Sequence, residues 1–207
     1  MRLALLMALL VASSCASFEL VELPVREADV YPSAHERDGV AVAAEGILDP
    51  RRVERYFGAD LLRHGILPVQ VIVSNHSEAR VRIRPSDVLL VDERRVVDPL
   101  PVDVVVEIPK ARGLFITDAT AARLDALYGQ LALRERLLAP DETYRGVLFF
   151  DVGERPRRDP FRTRFFRLTN LFSEPPLRLD VVLTEVERGE RVRFGPFGLE
   201  VEPERAI

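Results

Sequence analysis

Apolar and polar residues follow two kinds of pattern along this chain. Most of it has short apolar runs or strict alternation, bounded by turn residues, which is typical of β-strands. In Arg80–Arg84, Val81 and Ile83 are predicted to face inward while the three arginines face water. The segments 66–74 and 79–84 form either a hairpin or a corner between two sheets. Strands are predicted over residues 39–44, 66–74, 79–84, 88–91, 96–100, 102–108, 144–151, 161–168, 177–186 and 192–201.

A helical period replaces this pattern after residue 48. Asp49 can accept hydrogen bonds from the free N–H groups of a first helical turn, and Pro50 suits the first helical position because it has no N–H to satisfy. Gly65 is suited to a left-handed cap. These signals predict a helix over about residues 50–64. Its buried face is predicted to carry Val53, Tyr56, Phe57 and Leu61.

A second helix is predicted over about residues 118–138, with Thr117 or Asp118 as its cap. Its predicted apolar face consists of Leu124, Leu127, Tyr128, Leu131 and Leu138. Short strands separated by turns, with two helices inserted between them, predict a mainly β chain that forms a sandwich.

The N-terminal residues 1–14 have neither the strand pattern nor the helical period. Arg2 precedes an unbroken apolar run, Leu3–Ala12, and the small residues Ser13 and Ser14 follow it. A positive start, a short apolar core and small residues at a cleavage site are typical of a secretory signal peptide. The run is about half of the ~20 residues that a membrane-spanning helix needs.

The only cysteine of the chain, Cys15, stands directly after this signal. The stretch Val11-Ala12-Ser13-Ser14-Cys15 resembles the lipobox of bacterial lipoproteins, although Ala12 stands where that family favours leucine. The resemblance implies that Cys15 is the first residue of the mature protein and carries the lipid, including palmitate. The alternative is an ordinary cysteine near a cleavage site without lipid.

Ala16, the residue after the cysteine, helps to predict which membrane holds the protein. In Gram-negative lipoproteins an aspartate there signals retention at the inner membrane, and this chain has Ala16. The resemblance therefore implies a cell-envelope location, with the periplasmic face of the outer membrane favoured if the source is Gram-negative. Three segments are predicted: a lipoprotein signal peptide over 1–14, a tether and entry segment over 15–38, and one β-sandwich domain over 39–202.

Two further stretches resemble known bacterial proteins. The segments Tyr56–Leu61, Gly65–Gln70 and Val73–Asn75 are similar to uncharacterised envelope proteins. The segment Ala139–Phe150 resembles a strand entry of immunoglobulin-like bacterial domains, which implies an immunoglobulin-like β-sandwich. These resemblances imply a fold and a compartment, and no activity.

Composition excludes some classes of function. The formal net charge is −4, which argues against nucleic-acid binding because that role needs a basic face. All 29 basic residues except Lys110 are arginine. Either anion recognition or a GC-rich genome explains this preference. With one cysteine there is no disulfide framework, so the apolar core must hold the fold.

Residues with catalytic or metal-binding chemistry are few. The histidines His35, His64 and His76 lack metal-ligand spacing, and no nucleophile elbow or phosphate-binding loop is present. We therefore expect no metal and no cofactor. Asp60 and His64 could meet across one helical turn and tune a proton-transfer group, or form an exposed pair. Asn75 begins a glycosylation sequon, which is idle in most bacterial lineages.

One loop could bind an anion. Arg155–Arg158 carries three arginines, whose guanidinium groups suit phosphate or carboxylate, or it is a solvated basic loop. These observations predict a non-enzymatic, lipid-anchored envelope protein that binds a protein partner or supports an envelope complex. One alternative is an envelope hydrolase with an Asp/Glu site, since carboxylates converge only in three dimensions. Another is a module for a small hydrophobic ligand, suggested by Phe149, Phe150, Phe161, Phe165 and Phe166.

Overall fold

The computed structural model describes residues 23, 26–92, 95–111, 117–153 and 177–199. These residues are mainly β, with two sheets and three α-helices. The strands are β1 (His35–Arg37), β2 (Val40–Gly46), β3 (Ile66–Asn75), β4 (Val81–Ile83), β5 (Val88–Asp92), β6 (Arg95–Val97), β7 (Arg136–Leu138), β8 (Glu142–Asp151), β9 (Arg178–Glu185) and β10 (Arg191–Gly198). The helices are α1 (Pro50–Phe57), α2 (Val102–Ala111) and α3 (Asp118–Leu131).

Both sheets are antiparallel. The first has the order β1-β2-β3-β8, and β3 pairs with β8 from Ile66–Asp151 to Asn75–Glu142. The second has the order β6-β5-β9-β4-β7, and β10 also pairs with β9. One of the sheets curls into a half-barrel.

Alternate side chains of β3 point to opposite faces of the sheet and belong to different core clusters. Val69 and Val71 point into the larger cluster, which takes side chains from both sheets, while Ile66 on the other face joins a second cluster. The second cluster lies beneath the helices, and its aromatic residues Phe57, Tyr128 and Phe149 contact one another edge-on or tilted. A strand buried on both faces explains why β3 has a nearly continuous apolar sequence.

The start of α1 is as predicted, and its end is not. Asp49 accepts a hydrogen bond from the Arg51 N–H at 2.8 Å, and Pro50 occupies the first turn. The α-helix ends at Phe57 because Gly58 takes the left-handed conformation, with φ of 70°. Gly65 ends a separate 3-10 turn, so the predicted helix over 50–64 is too long.

A third helix replaces a predicted strand. Residues 102–108 form part of α2, because Pro101 begins a turn whose carbonyl accepts from the N–H groups of Val104 and Val105. Val105 is fully buried in the cluster beneath the helices. Burial of this face outweighs the strand preference of a valine run, so the prediction of only two helices is wrong.

The helix predicted over 118–138 ends early. Thr117 caps it as predicted, by accepting from the Thr120 N–H at 3.2 Å. It stops at Leu131, because the Leu133 N–H then donates to the Val147 carbonyl at 2.8 Å along the edge of β8. Leu138 lies in β7, paired with Val81, and therefore does not share the helical face.

Most other predicted strands are present. Residues 79–84 form a corner: β4 leaves the sheet of β3 and pairs with β7 and β9. Val81 and Ile83 are buried as predicted, but the Nε atom of Arg82 is also buried, with no hydrogen-bond partner among the described residues. The predicted strand 96–100 is shortened to β6, and the segment 161–168 lies outside the described residues.

Part of the predicted entry segment packs on the first sheet. The Ala28 N–H donates to the Ser74 hydroxyl at 2.9 Å, and Ala28 is fully buried. A two-residue turn at Asp38 and Gly39, both with positive φ, joins β1 to β2. This is the geometry that twisted hairpins favour. The domain bounds 1–14, 15–38 and 39–202 stay predictions.

Candidate functional site

Several residues singled out in the sequence lie outside the described residues. They include Cys15, the loop Arg155–Arg158 and three of the five phenylalanines, Phe161, Phe165 and Phe166. The other two, Phe149 and Phe150, point to opposite faces of β8 and belong to different core clusters. They therefore do not line a common cavity.

Asp60 and His64 do not share an α-helix. Both follow the end of α1; Asp60 accepts from the Arg63 N–H at 3.1 Å, and His64 lies in the 3-10 turn. His64 is buried, so the predicted arrangement as an exposed helical pair is wrong. The break at Gly58 is the physical cause.

Asn75 links the two sheets at the corner between β3 and β4. Its amide nitrogen donates to the carbonyls of Ala79, Leu138 and Ala139, and its carbonyl oxygen accepts from Ser77. Asn75 has no exposed surface. Its glycosylation sequon therefore carries a buried, fully engaged amide in the folded protein.

An open cleft lies beside this corner, and we call it the end cleft. Its volume is about 460 Å³. Its apolar floor comes from both sheets and consists of Val40, Val81, Leu183, Val192 and Phe194. Its charged and polar rim consists of Arg37, Asp38, His76, Ser77, Glu78, Glu185, Arg188 and Glu190.

Backbone contacts fix the walls of the end cleft. The His76 N–H donates to the Gly39 carbonyl at 2.8 Å, which joins the β1–β2 turn to the loop after β3. On the opposite wall, the Glu185 N–H donates to the Glu190 carbonyl at 2.8 Å and closes the β9–β10 hairpin. This hairpin was predicted at residues 187–190.

An ion pair anchors the tip of that hairpin. Glu187 accepts from the backbone N–H and from the Nε of Arg80, at 3.0 and 2.8 Å. The Arg80 guanidinium holds the pKa of Glu187 below its ordinary value. Both walls of the end cleft are therefore tied to the sheets, which favours a preformed site.

A second concavity, of about 420 Å³, lies where α3 meets β7 and β8, and we call it the arginine groove. Its lining consists of Gln130, Ala132, Arg134, Glu135, Arg136, Tyr144 and Arg145. The Arg136 guanidinium lies 5.3 Å from the centre of the Tyr144 ring, a cation–π distance. The Tyr144 hydroxyl accepts from the Arg134 N–H at 2.8 Å.

The carboxylates near the groove are paired. Arg136 bonds Glu142 at 2.5 Å and Arg84 bonds Glu135 at 3.1 Å. The hydrogen bond from Arg136 lowers the pKa of Glu142 below its ordinary value, and the Ala139 N–H adds to that effect. The groove therefore keeps more positive charge than negative.

Within the described ranges, no three His, Cys, Asp or Glu side chains come close enough to hold a metal ion. None of the helices in those ranges is both long and apolar enough to span a bilayer.

No family model and no curated protein matches the chain. Among solved structures, it is similar to a "putative lipoprotein (ycdA)" of Bacillus subtilis at 11% identity and a TM-score of 0.37, over 80% of this chain and 38% of that one. The yjhA protein of the same organism gives 10% identity and 0.37, over 81% and 96% of the two chains.

A third solved structure is the FixG-related protein of Vibrio parahaemolyticus. It has 10% identity and a TM-score of 0.35, over 80% of this chain and 100% of the other. Likenesses at these TM-scores carry no argument about function.

Sequence reasoning missed both concavities, because their residues come from segments far apart in the chain. A signal for one wall of the end cleft was present. The dipeptide Asp38-Gly39 indicates a tight hairpin turn. The arginine groove had no such signal, since Arg134 and Arg136 lay within a predicted helix.

Proposed function

We propose that this protein is a lipid-anchored bacterial envelope protein that binds a protein partner without catalysing a reaction. In this proposal Cys15 carries the lipid, an immunoglobulin-like β-sandwich forms the body, and the protein faces the periplasm from the outer membrane of a Gram-negative cell. The signal peptide pattern, the lipobox and Ala16 support the location.

The end cleft is the observation that carries the binding role. Its apolar floor and its rim of both charge signs match the composition of interaction sites, where buried apolar contacts supply affinity and charged edges supply selectivity. Its walls are fixed by backbone hydrogen bonds, so a partner would lose little affinity to ordering the site.

The anchor is tested by Cys15→Ala. Labelled palmitate is expected to mark the wild-type protein and leave the variant unlabelled, and the variant is expected to leave the membrane fraction or stay uncleaved. Equal labelling of both proteins would end the lipoprotein proposal. Separation of inner and outer membranes on a density gradient then tests the destination.

The partner is tested by photo-crosslinking in living cells. A crosslinking residue at Glu78, on the rim of the end cleft, is expected to give a discrete adduct, and the same residue at Arg51, on the exposed face of α1, is not. Arg188→Glu is expected to weaken the Glu78 adduct, because it reverses one rim charge. The same adducts from Glu78 and from Arg51 would contradict the proposal that the partner binds at the end cleft.

A hydrolase stays a second candidate for the same cleft. The carboxylates of Asp38, Glu78, Glu185 and Glu190 line it, and hydrolases often use two such groups. If the cleft is catalytic, purified protein is expected to cleave a member of a panel of envelope glycans and peptides, and Glu185→Gln or Glu190→Gln is expected to abolish cleavage. Cleavage that both variants retain would show that Glu185 and Glu190 are not catalytic.

A further inference from the structure

The arginine groove holds positive charge that the described carboxylates do not neutralise. Arg136 is paired with Glu142, but Arg134 and Arg145 donate through their guanidinium groups to the main-chain carbonyls of Gly129 and Leu23. Among the described residues neither of these two guanidinium groups bonds a carboxylate. A carbonyl oxygen orients a guanidinium and leaves its charge available to an anion.

The groove also lies beside the point from which the chain runs back to its N-terminus. Arg145 bonds Leu23, which is eight residues from Cys15 in the sequence. Eight residues span at most about 28 Å when fully extended. A lipid on Cys15 would therefore keep the groove close to the surface of the membrane that holds it.

We propose that the arginine groove binds the phosphate of an anionic phospholipid headgroup in that membrane. This proposal rests on the proposed anchoring through Cys15. Arginine matches phosphate because its planar fork can donate two hydrogen bonds to neighbouring oxygens. The chain as a whole carries −4, so its overall charge does not favour binding to an anionic membrane. The groove supplies local charge of the opposite sign.

Tyr144 sets the shape of the site. Its ring lies against Arg136, and its hydroxyl accepts from the Arg134 N–H, so one side chain positions two of the three arginines. Glu142 is held in its pair with Arg136, which leaves the charges of Arg134 and Arg145 available to a phosphate.

The experiment uses the mature chain from residue 15 with Cys15→Ser, so that no lipid contributes to binding. Co-sedimentation is measured with vesicles of phosphatidylcholine alone and with vesicles containing about one third phosphatidylglycerol. The protein is expected to bind the anionic vesicles about tenfold more tightly, and Arg134→Gln with Arg145→Gln is expected to remove this preference. Arg51→Gln with Arg55→Gln, on the exposed face of α1, changes the net charge equally and is expected to retain it.

Three results would overturn the proposal: equal binding to both vesicle types, equal loss in the control variant, or saturable binding of inorganic phosphate without any preference for anionic vesicles. The last would identify the groove as a site for a soluble anion. Near-ultraviolet circular dichroism verifies that the Arg145 variant is folded, and Arg145→Lys, which keeps the charge, is expected to retain most of the preference. A failure of palmitate labelling at Cys15 leaves the vesicle result unchanged, so the two proposals fail separately.

Discussion

The hydroxyl of Tyr128 donates a 2.9 Å hydrogen bond to the main-chain carbonyl of Phe57. The bond joins the last turn of α3 to the last residue of α1, in a position where both side chains are buried. The carbonyls of a last helical turn lack partners within their own helix. Tyr128 therefore satisfies a polar group that the left-handed break at Gly58 leaves open, and it holds two helices against the first sheet.

Tyr128→Phe is expected to lower the free energy of unfolding by about 1–2 kcal/mol, because it leaves a buried carbonyl without this donor. Chemical denaturation measures the loss, and Tyr31→Phe, which removes a hydroxyl from a partly exposed ring, is expected to change little. Burial also raises the pKa of Tyr128 above its ordinary value of 10.0. The wild type should lose stability as pH rises above about 10, and the variant should lack this part of the loss.

Gly146→Ala is expected to destabilise the protein by about 3 kcal/mol or more. A Cβ at this position would lie 2.4 Å from the Cα of Leu133, so the backbone crossing the edge of β8 would have to move. Gly198→Ala is the matched control, because a Cβ there meets nothing within 4 Å. Thermal unfolding of both variants compares the effects; similar melting temperatures would show that residues 132–134 yield easily.

Asn75→Ala is expected to cost more than about 2 kcal/mol, since it leaves one buried and two partly buried carbonyls at the corner without this donor. Ser77→Ala removes only one hydroxyl from the same network and is expected to cost less. Urea denaturation gives both values. An Asn75 variant as stable as the wild type would show that the corner does not depend on this amide.

The pair of Arg136 and Glu142 is expected to make stability depend on acid pH. Because the pKa of Glu142 is lowered in the folded protein, its contribution is present above about pH 4–5 and is lost as pH falls through the folded pKa. Glu142→Gln is therefore expected to be less stable than the wild type at neutral pH, with the difference shrinking below about pH 4. A difference that is constant with pH would assign the effect to packing.

Local signals in the sequence were sufficient where backbone chemistry decides the structure. Asp49 and Pro50 predicted the start of α1, and alternation predicted the buried positions of β4. These signals failed where one sequence pattern is compatible with two structures. Gly58 and Gly65 both have positive φ, and the apolar face continues through the 3-10 turn between them, so the sequence could not show which glycine ends α1.

Other errors came from contacts between distant segments. The valine run of α2 suits a strand, and only the buried cluster beneath the helices makes it helical. The end cleft was missed for a related reason. Its turns at Asp38-Gly39 and at 187–190 can be identified locally, but their proximity depends on which ends of the two sheets meet.

The position of β9 has a consequence for the order in which the molecule can be assembled. It pairs with β10 on one side and with β5 and β4 in succession on the other, although it begins only at Arg178. The second sheet therefore cannot close until the chain has been synthesised beyond Glu185. Until then β4 is paired only with β7 and β5 only with β6, and the non-local pairing with β9 is slow. The strands of the first sheet end by Asp151, so that sheet can be complete while the second is still open.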